Sequence, residues 1–337
     1  MFGKRLFEMS IPILLLFFLI YRDMKSAVLF LIFKREDTTR KVFKRIREAQ
    51  PPRLYIAADG PRQGRPKEKE LCYAARKVVK IIDWPCEVHR LYRDENHGCG
   101  KAVSEAISWF FEHEKEGIII EDDVLPHIDF FEFCDEMLER YRDRLDIHSI
   151  GGHCALKNYV PSDASYYKST IMEIWGWATW KRVWDTYEYD ANKYSRKKLV
   201  HQIWKRYPAA MAIFNLWALW KVTKKNAIDT WDYQFGFNMI YHKRYTISPY
   251  HNLVQNVGFG TGATHTSESR DKNNEEVVYG ILPIKHPLQL SLDRKADIVA
   301  MSAKGMYHHN LLFYLTRSLF RVVKRRYENR NTHCSQL

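Results

Sequence analysis

Three consecutive carboxylates, Glu121, Asp122 and Asp123, follow the β-branched apolar residues at 118–120. The apolar triplet predicts a strand buried on both faces, as in a parallel sheet. The acids then lie at the carboxyl end of that strand, where open α/β sheets bind their ligands. Clustered carboxylates repel one another, and a hard cation such as Mg²⁺ or Mn²⁺, which also takes phosphate oxygens, relieves that cost. A solvated acidic turn is the alternative, but the buried strand before the acids and Pro126 after them favour a metal site.

The segments around this motif alternate between strand and helix patterns from residue 27 to about residue 150. Strands are predicted at 27–33, 54–57, 87–92, 118–120 and 147–150, with helices at 68–80 and 133–141 and another opening at residues 98–100. Asp37 is predicted to cap the helix after the first strand, and Asp129 with Glu132 forms a capping-box pattern before helix 133–141. The alternation predicts an α/β fold with a mixed, mostly parallel sheet flanked by helices.

Composition narrows the class of partner. The chain has 337 residues, 46% of them apolar, and a net charge of +13, which indicates a globular protein with an anionic partner. Nucleotide phosphate and anionic lipid both fit that charge. No helix-turn-helix, zinc or aromatic-basic motif is present, so nucleic acid is not expected. The six cysteines show no C-x-x-C spacing, which indicates free thiols in a reducing compartment and a cytoplasmic protein.

Both ends of the chain carry patterns typical of membrane-surface segments. Residues 11–21 form an apolar run behind two basic residues, shorter than the ~20 residues of a bilayer span. Three roles stay open for residues 1–24: a short membrane anchor, an interfacial or packed helix, or an upstream start outside the fold. In the tail, 291–337, leucines and basic residues between 312 and 326 predict a basic amphipathic helix, either on an anionic membrane at the inner face of the cell or docked on the body.

Seven short motifs occur in order along the main part of the chain, residues 25–290. They are residues 30–35, 57–60, 96–98, 121–123, 175–180, 231–234 and 258–266. With these motifs the chain resembles a GT-A-type glycosyltransferase of the bacterial nucleotide-diphospho-sugar transferase kind. It is similar to the inverting N-acetylglucosaminyltransferases. The apolar segment 1–24 falls outside this resemblance.

The resemblance implies a role for several of these residues. Asp123 is the expected direct ligand of Mn²⁺ or Mg²⁺, with Asp122 beside it, and His265 is a further candidate ligand or phosphate contact. Asp59 would hydrogen-bond the base or ribose of a nucleotide, with an Asx turn before the next glycine as the alternative. Arg35, after the first strand, would contact the nucleotide; a solvated surface charge is its alternative.

The resemblance also implies a general base for an acceptor hydroxyl, and Asp232 is the candidate. Its alternative is an acid favoured at a helix N-terminus, and Glu173 and Asp185 are the fallback bases. The tryptophan cluster at 175–180 suits a wall against which a sugar stacks, and Trp177 is the residue assigned to the nucleotide-sugar site.

The function implied by the resemblance is metal-dependent transfer of a sugar from a nucleotide-diphosphate sugar to a glycan or lipid-linked acceptor, by single displacement with inversion. A nucleotidyltransferase could use the same sheet, acids and cation. It would normally carry a glycine-rich loop after the first strand, where this chain has Lys34, Arg35, Glu36, Asp37 and Thr38. A non-catalytic basic membrane-surface protein is the third reading, but it leaves the acids without a role.

Overall fold

The computed structural model describes residues 24–156, 159, 163–224, 228–258 and 281–303. Its centre is an eight-stranded sheet in the order β3-β2-β1-β4-β8-β6-β9-β7, and β10 pairs with β5 in a separate two-stranded sheet. The strands are β1 Ala27–Ile32, β2 Arg53–Ala58, β3 Glu87–Tyr92, β4 Glu116–Glu121, β5 Val124–Pro126, β6 Ile147–Gly151, β7 Tyr166–Ser169, β8 Trp177–Trp180, β9 Tyr245–Pro249 and β10 Val254–Asn256.

The α-helices connect and cover these strands. They are α1 Glu36–Ala49, α2 Pro66–Val78, α3 Cys99–His113, α4 Asp129–Arg140, α5 Lys181–Trp184, α6 Arg196–Arg206, α7 Ala209–Thr223, α8 Asp232–Tyr241 and α9 Arg294–Ala303. Within the large sheet, β8 and β7 run against the other six strands. The structure is therefore the mixed, mostly parallel α/β fold that the alternating pattern predicts.

Strands β1 and β4 are apolar because both of their faces are covered. Every residue of β1 is buried, and so are residues 118–120 of β4. Burying each large aliphatic side chain contributes roughly 1.5–3 kcal/mol. These strands form a rigid base, and parallel pairing of β1 with β2 and β4 brings their carboxyl ends to one edge of the sheet.

Helix starts differ from the predicted ones at two places. Asp37 is the second residue of α1 and makes no cap; Arg35 occupies the N-cap position. The fourth helix begins at Asp129, not at residue 133, so the capping box does not form. Phe130 and Phe131 are buried in the core, and their packing draws the first turn into the helix.

A second, smaller core lies between α6, α7 and α8. The last described helix, α9, is fixed to β7 through Asp297, whose carboxylate accepts hydrogen bonds from the Ser169 and Thr170 hydroxyls. No helix in the described part of the chain is long and apolar enough to cross a bilayer. Residues 1–23, His265 and the predicted basic helix at 312–326 lie outside the described residues.

Candidate active site

A cavity of about 630 Å³ opens at the carboxyl ends of β1, β2 and β4. Register explains its position, because Leu31 pairs with Glu121 and Ile32 pairs with Ala58, so the segments that follow all three strands emerge together. The polar residues in its wall are Arg35, Asp59, Arg62, Arg93, Asn96, Glu121, Asp122, Asp123, Asp229, Thr230, Asp232 and Asn256. One cavity therefore contains four acids that the sequence predicts as site residues: Asp59, Asp122, Asp123 and Asp232.

Arg35 joins the two aspartates of the acidic triplet. Its Nη2 lies 2.8 Å from Asp122 Oδ1 and 3.0 Å from Asp123 Oδ2. The second oxygen of Asp122 accepts a hydrogen bond from the Phe33 amide at 3.1 Å. The Asp122 side chain is only 4% exposed. Its contacts with Phe33 and Arg35 tie the turn after β1 to the end of β4. Arg35 is thus a part of the cavity wall and not a solvated surface charge.

Two carboxylates of the acidic triplet, Glu121 and Asp122, have a pKa above the ordinary value. Burial, followed by the charges of Asp123, Asp122 and Asp232, raises the pKa of Glu121 to about 8. Burial also raises the pKa of Asp122 to about 6, although the Arg35 guanidinium opposes that rise. Such perturbed acids inside a cavity are typical of a functional site.

The carboxylate oxygens at this site suit a cation that arrives together with phosphate. Among the residues that the structure describes, no group of three or more His, Cys, Asp or Glu side chains is arranged to hold a metal ion. Both oxygens of Asp122 already accept hydrogen bonds, which leaves Asp123 as the better ligand. Mg²⁺ commonly binds through one or two carboxylates plus substrate phosphates and water. Asp123 together with a phosphate group would meet that requirement, with Asp122 as the partner of Arg35.

Residues 254–258, which lead into the motif 258–266, close one side of the acidic triplet. β10 pairs with β5, and the Val257 amide donates to the Asp123 carbonyl at 2.8 Å. A Cβ on Gly258 would lie 2.3 Å from Asp123 Oδ2 and 2.7 Å from Arg35 Nη1. The same Cβ would lie 2.7 Å from Asp123 Cβ, so a larger residue at position 258 would force Asp123 and Arg35 to move. The sequence pattern did not predict this strand pair, because three-residue strands give almost no periodic signal.

Asp59 lies in the cavity wall. Its alternative, an Asx turn, does not form, because the amide it needs belongs to residue 61, and Pro61 has no N–H. The Asp59 carboxylate accepts from the Gly60 amide at 3.0 Å, the His97 amide at 3.0 Å and the Asn96 side-chain amide at 2.8 Å. Burial raises the pKa of Asp59, while the two backbone amides oppose that rise. The Asp59 carboxylate therefore fixes the loop after β3 beside the cavity.

Asp229 is a site residue that the motif analysis did not single out. Its two carboxylate oxygens accept from the Cys99 and Gly100 amides, both at 2.9 Å, and so cap α3 from a distant segment. Gly98 has φ +83°, and a Cβ on Gly100 would lie 2.6 Å from Asp229 Oδ1. The sequence Gly98-Cys99-Gly100 indicates the start of α3. It does not indicate the capping residue, because Asp229 lies 129 residues from Gly100.

Asp232 is the first residue of α8 and lines the cavity between Trp231 and Tyr233. Its Oδ1 accepts from the Tyr233 amide at 2.9 Å and also from the Thr230 hydroxyl. Asp232 therefore stands at a helix N-terminus, as its alternative role requires, and also lines the cavity. These contacts hold the carboxylate in one orientation.

The tryptophan cluster divides between cavity and core. Trp175 lines the cavity, whereas Trp177 is 1% exposed and packs against Trp231, with ring centroids 5.6 Å apart. Trp177 is thus placed beneath the wall and not in contact with a ligand, which contradicts the role assigned to it. Its position in β8, central in the sheet, explains the burial.

The two fallback bases lie elsewhere. Glu173 is buried against His153, with Oε2 and Nδ1 3.2 Å apart, and it is absent from the cavity lining. Asp185 is a half-exposed partner of Lys181. Neither position suits proton transfer in this cavity, so Asp232 stays the candidate.

No protein-family model matches this chain, and no curated protein matches it significantly. Solved structures to which this chain is similar include apo UDP-glucose pyrophosphorylase, at 10% identity and TM-score 0.36 over 69% of this chain and 93% of that one. HddC from Yersinia pseudotuberculosis gives 11% identity and TM-score 0.30 over 48% and 80%. The inositol-1-phosphate CTP transferase from T. maritima gives 14% identity and TM-score 0.27 over 48% and 74%. At such values the function has to be argued from the site itself.

Proposed function

We propose that this protein is a transferase that moves a sugar from a nucleotide-diphosphate sugar to a hydroxyl of a glycan or lipid-linked acceptor. One observation carries the proposal. Arg35, the triplet Glu121, Asp122 and Asp123, and the separate acid Asp232 converge on one cavity at the carboxyl edge of the sheet. That edge is where α/β sheets bind nucleotides.

The donor side of the cavity lies around Arg35 and Asp123. A diphosphate is doubly negative, and its charge increases as the glycosidic bond breaks. Mn²⁺ or Mg²⁺ bound by Asp123 would supply electrostatic stabilisation of that leaving group. Arg35, held by Asp122 and Asp123, adds a fixed positive charge beside the same position. In this proposal Asp59 and the loop it fixes would contact the nucleoside.

The acceptor side lies around Asp232. In a single displacement the acceptor oxygen attacks the anomeric carbon, the bond from that carbon to the diphosphate breaks, and the acceptor proton passes to the Asp232 carboxylate. Trp231 is packed behind Asp232, and Trp175 and Tyr233 line the same cavity. Aromatic faces there would hold sugar rings and exclude water.

Nucleotidyl transfer is the second candidate, because the solved structures to which this chain is similar include a UDP-glucose pyrophosphorylase and a CTP transferase. Three residues, 33–35, separate β1 from α1, and none is glycine. That position lies within the described residues, and it has no glycine-rich loop that could wrap a phosphate. Sugar transfer remains the function that this site supports better.

An assay of released nucleotide separates the candidates. Purified protein is incubated with Mn²⁺, a panel of nucleotide sugars and candidate acceptors, and nucleoside diphosphate is measured. In parallel, nucleoside triphosphates and sugar 1-phosphates are supplied, and pyrophosphate is measured. Sugar transfer predicts diphosphate release that Asp123→Asn abolishes. Pyrophosphate release without diphosphate release would establish the second candidate, and neither product from any pair would leave the proposal without support.

A further inference from the structure

The outer face of α7 is apolar where a surface helix is normally polar. The inner residues of α7, among them Ala212, Ala218 and Leu219, are buried in the second core. On the outer side Trp217 is 39% exposed and Trp220 is 50% exposed. These two indoles, with Lys221 and Lys224, are called the α7 face below. Large exposed apolar groups placed together indicate a binding surface.

Basic groups surround the two indoles. Lys221 Nζ lies 4.1 Å from the ring centroid of Trp217, and Lys224 Nζ lies 5.2 Å from that of Trp220. The whole segment 191–228, which includes α6 and α7, has nine Lys and Arg residues and no Asp or Glu. Trp204 of α6 is a further exposed indole, at 49%. In the described part of this segment, exposed indoles and exposed lysines therefore occur together.

We propose that the α7 face docks on an anionic lipid surface, with the helix lying in the interface. Indole rings are amphipathic and favour the headgroup region, while lysines beside them are attracted to anionic lipids. The 15 residues of α7 are about 22 Å long, which is less than the ~30 Å hydrocarbon thickness. The helix thus lies on the membrane and does not cross it.

Charge argues against a second copy of the chain as the occupant. A two-fold dimer through this face would place the same acid-free segment of each copy against the other, with like charges opposed. An anionic bilayer instead neutralises every lysine and arginine that reaches it. The membrane is therefore the occupant that the charge pattern selects.

Docking through α7 would also set the position of the cavity. Ile228 and Asp229, which follow α7 after only a few residues, belong to the cavity lining. The cavity mouth would then lie close to the lipid surface, which suits a lipid-linked acceptor. The advantage for a lipid-linked acceptor rests on the proposed function. The docking itself does not, because a lipid-binding assay needs no sugar donor.

Flotation of the full-length chain with vesicles tests the docking. Vesicles of phosphatidylcholine with 30% phosphatidylglycerol are compared with phosphatidylcholine alone at low and high salt. The variant K221E/K224E is expected to lower the partition coefficient roughly tenfold or more, since each basic residue contributes ~1 kcal/mol at an anionic surface. The variant W217S/W220S is expected to lower it roughly as much, because it removes apolar area that would be buried in the interface. The matched control is I81S/L145S, which removes exposed apolar side chains elsewhere, at 77% and 74% exposure; it should bind like wild type.

Quenching by brominated lipids separates α7 from any other segment that binds membranes. If α7 inserts, the wild type loses a larger fraction of tryptophan fluorescence than the conservative variant W217F/W220F, whose folding is checked by circular dichroism. Equal quenching of the two proteins, or unchanged flotation of W217S/W220S, would overturn the proposal. So would sedimentation without lipid that shows W217S/W220S converting a dimer to a monomer, because the face would then join two copies.

Discussion

Replacing Glu121 with glutamine should make the free protein more stable at alkaline pH, although it removes an acid from the candidate active site. Glu121 lies at the end of β4, in a cavity wall that also holds Asp122, Asp123 and Asp232. Burial and these neighbouring charges raise the pKa of Glu121 to about 8 from an ordinary value of 4.5. The ionised carboxylate is therefore less favourable in the folded chain than in the unfolded chain.

The sign of the effect follows from where the proton is held. The folded state keeps the Glu121 proton up to about pH 8, whereas the unfolded state releases it near pH 4.5. The stability associated with this difference is fully present below pH 4.5 and is lost as the pH rises to 8. The difference between these two pKa values, at about 1.4 kcal/mol for each tenfold change in proton affinity, sets a ceiling of about 5 kcal/mol on the loss. Because the cavity is open to water and the acids titrate together, roughly 1–3 kcal/mol is the expected loss.

Urea denaturation at several pH values between 5 and 8.5, in buffer with EDTA, measures the loss. Wild type should lose stability over this range, and Glu121→Gln should lose less, so that the variant is the more stable protein at pH 8.5. The matched control is Glu36→Gln, an exposed acid of α1, which should keep the wild-type pH dependence. An equal pH dependence of Glu121→Gln and wild type would refute the electrostatic argument.

Three further substitutions separate chemistry from structure. Asp123→Asn should keep the fold but lose most turnover at limiting Mn²⁺; wild-type turnover there would refute the metal assignment. Asp232→Asn should bind the donor normally while kcat falls roughly 10²–10⁴-fold; weak donor binding with unchanged kcat would instead assign Asp232 to the nucleotide. Asp229→Ala removes the acceptor of two α3 amides and should lower the free energy of unfolding by about 1–3 kcal/mol. Urea denaturation tests the last, with Asp229→Asn restoring part of the loss, and unchanged stability would contradict it.

Five of the eight strands in the large sheet, β1 to β4 and β6, were predictable because their signal is local, whereas β7, β8 and β9 were not predicted. Residues 27–33 and 87–92 are apolar or alternating over six or seven positions, and each became a strand within one residue of the predicted limits. The same local reading placed the acidic triplet at the end of β4. Where a boundary depends on packing, as at the start of α4, burial of Phe130 and Phe131 determined it and the local capping pattern did not.

The contacts that complete the cavity were not predictable, because their partners are distant in sequence. Asp229 caps α3 across about 130 residues, and Val257 bonds to Asp123 across a similar separation. A single sequence contains no periodicity for such pairs. The choice among aromatic residues failed for a related reason: Trp175 and Trp177 both fit a sugar-stacking pattern, but β8 turns Trp177 into the core.

The charge of the cavity wall suggests how cation and donor depend on one another. The wall contains six acids and three arginines, so it has more negative than positive groups when its acids are ionised. The acids are Asp59, Glu121, Asp122, Asp123, Asp229 and Asp232, and the arginines are Arg35, Arg62 and Arg93. A diphosphate alone would add to that excess. A divalent cation alone would find Asp123 as its best-placed ligand, since Asp122 is hydrogen-bonded through both oxygens. Only the two together supply both the missing positive charge and the missing oxygen ligands, and we therefore expect the metal and the nucleotide to bind as one unit.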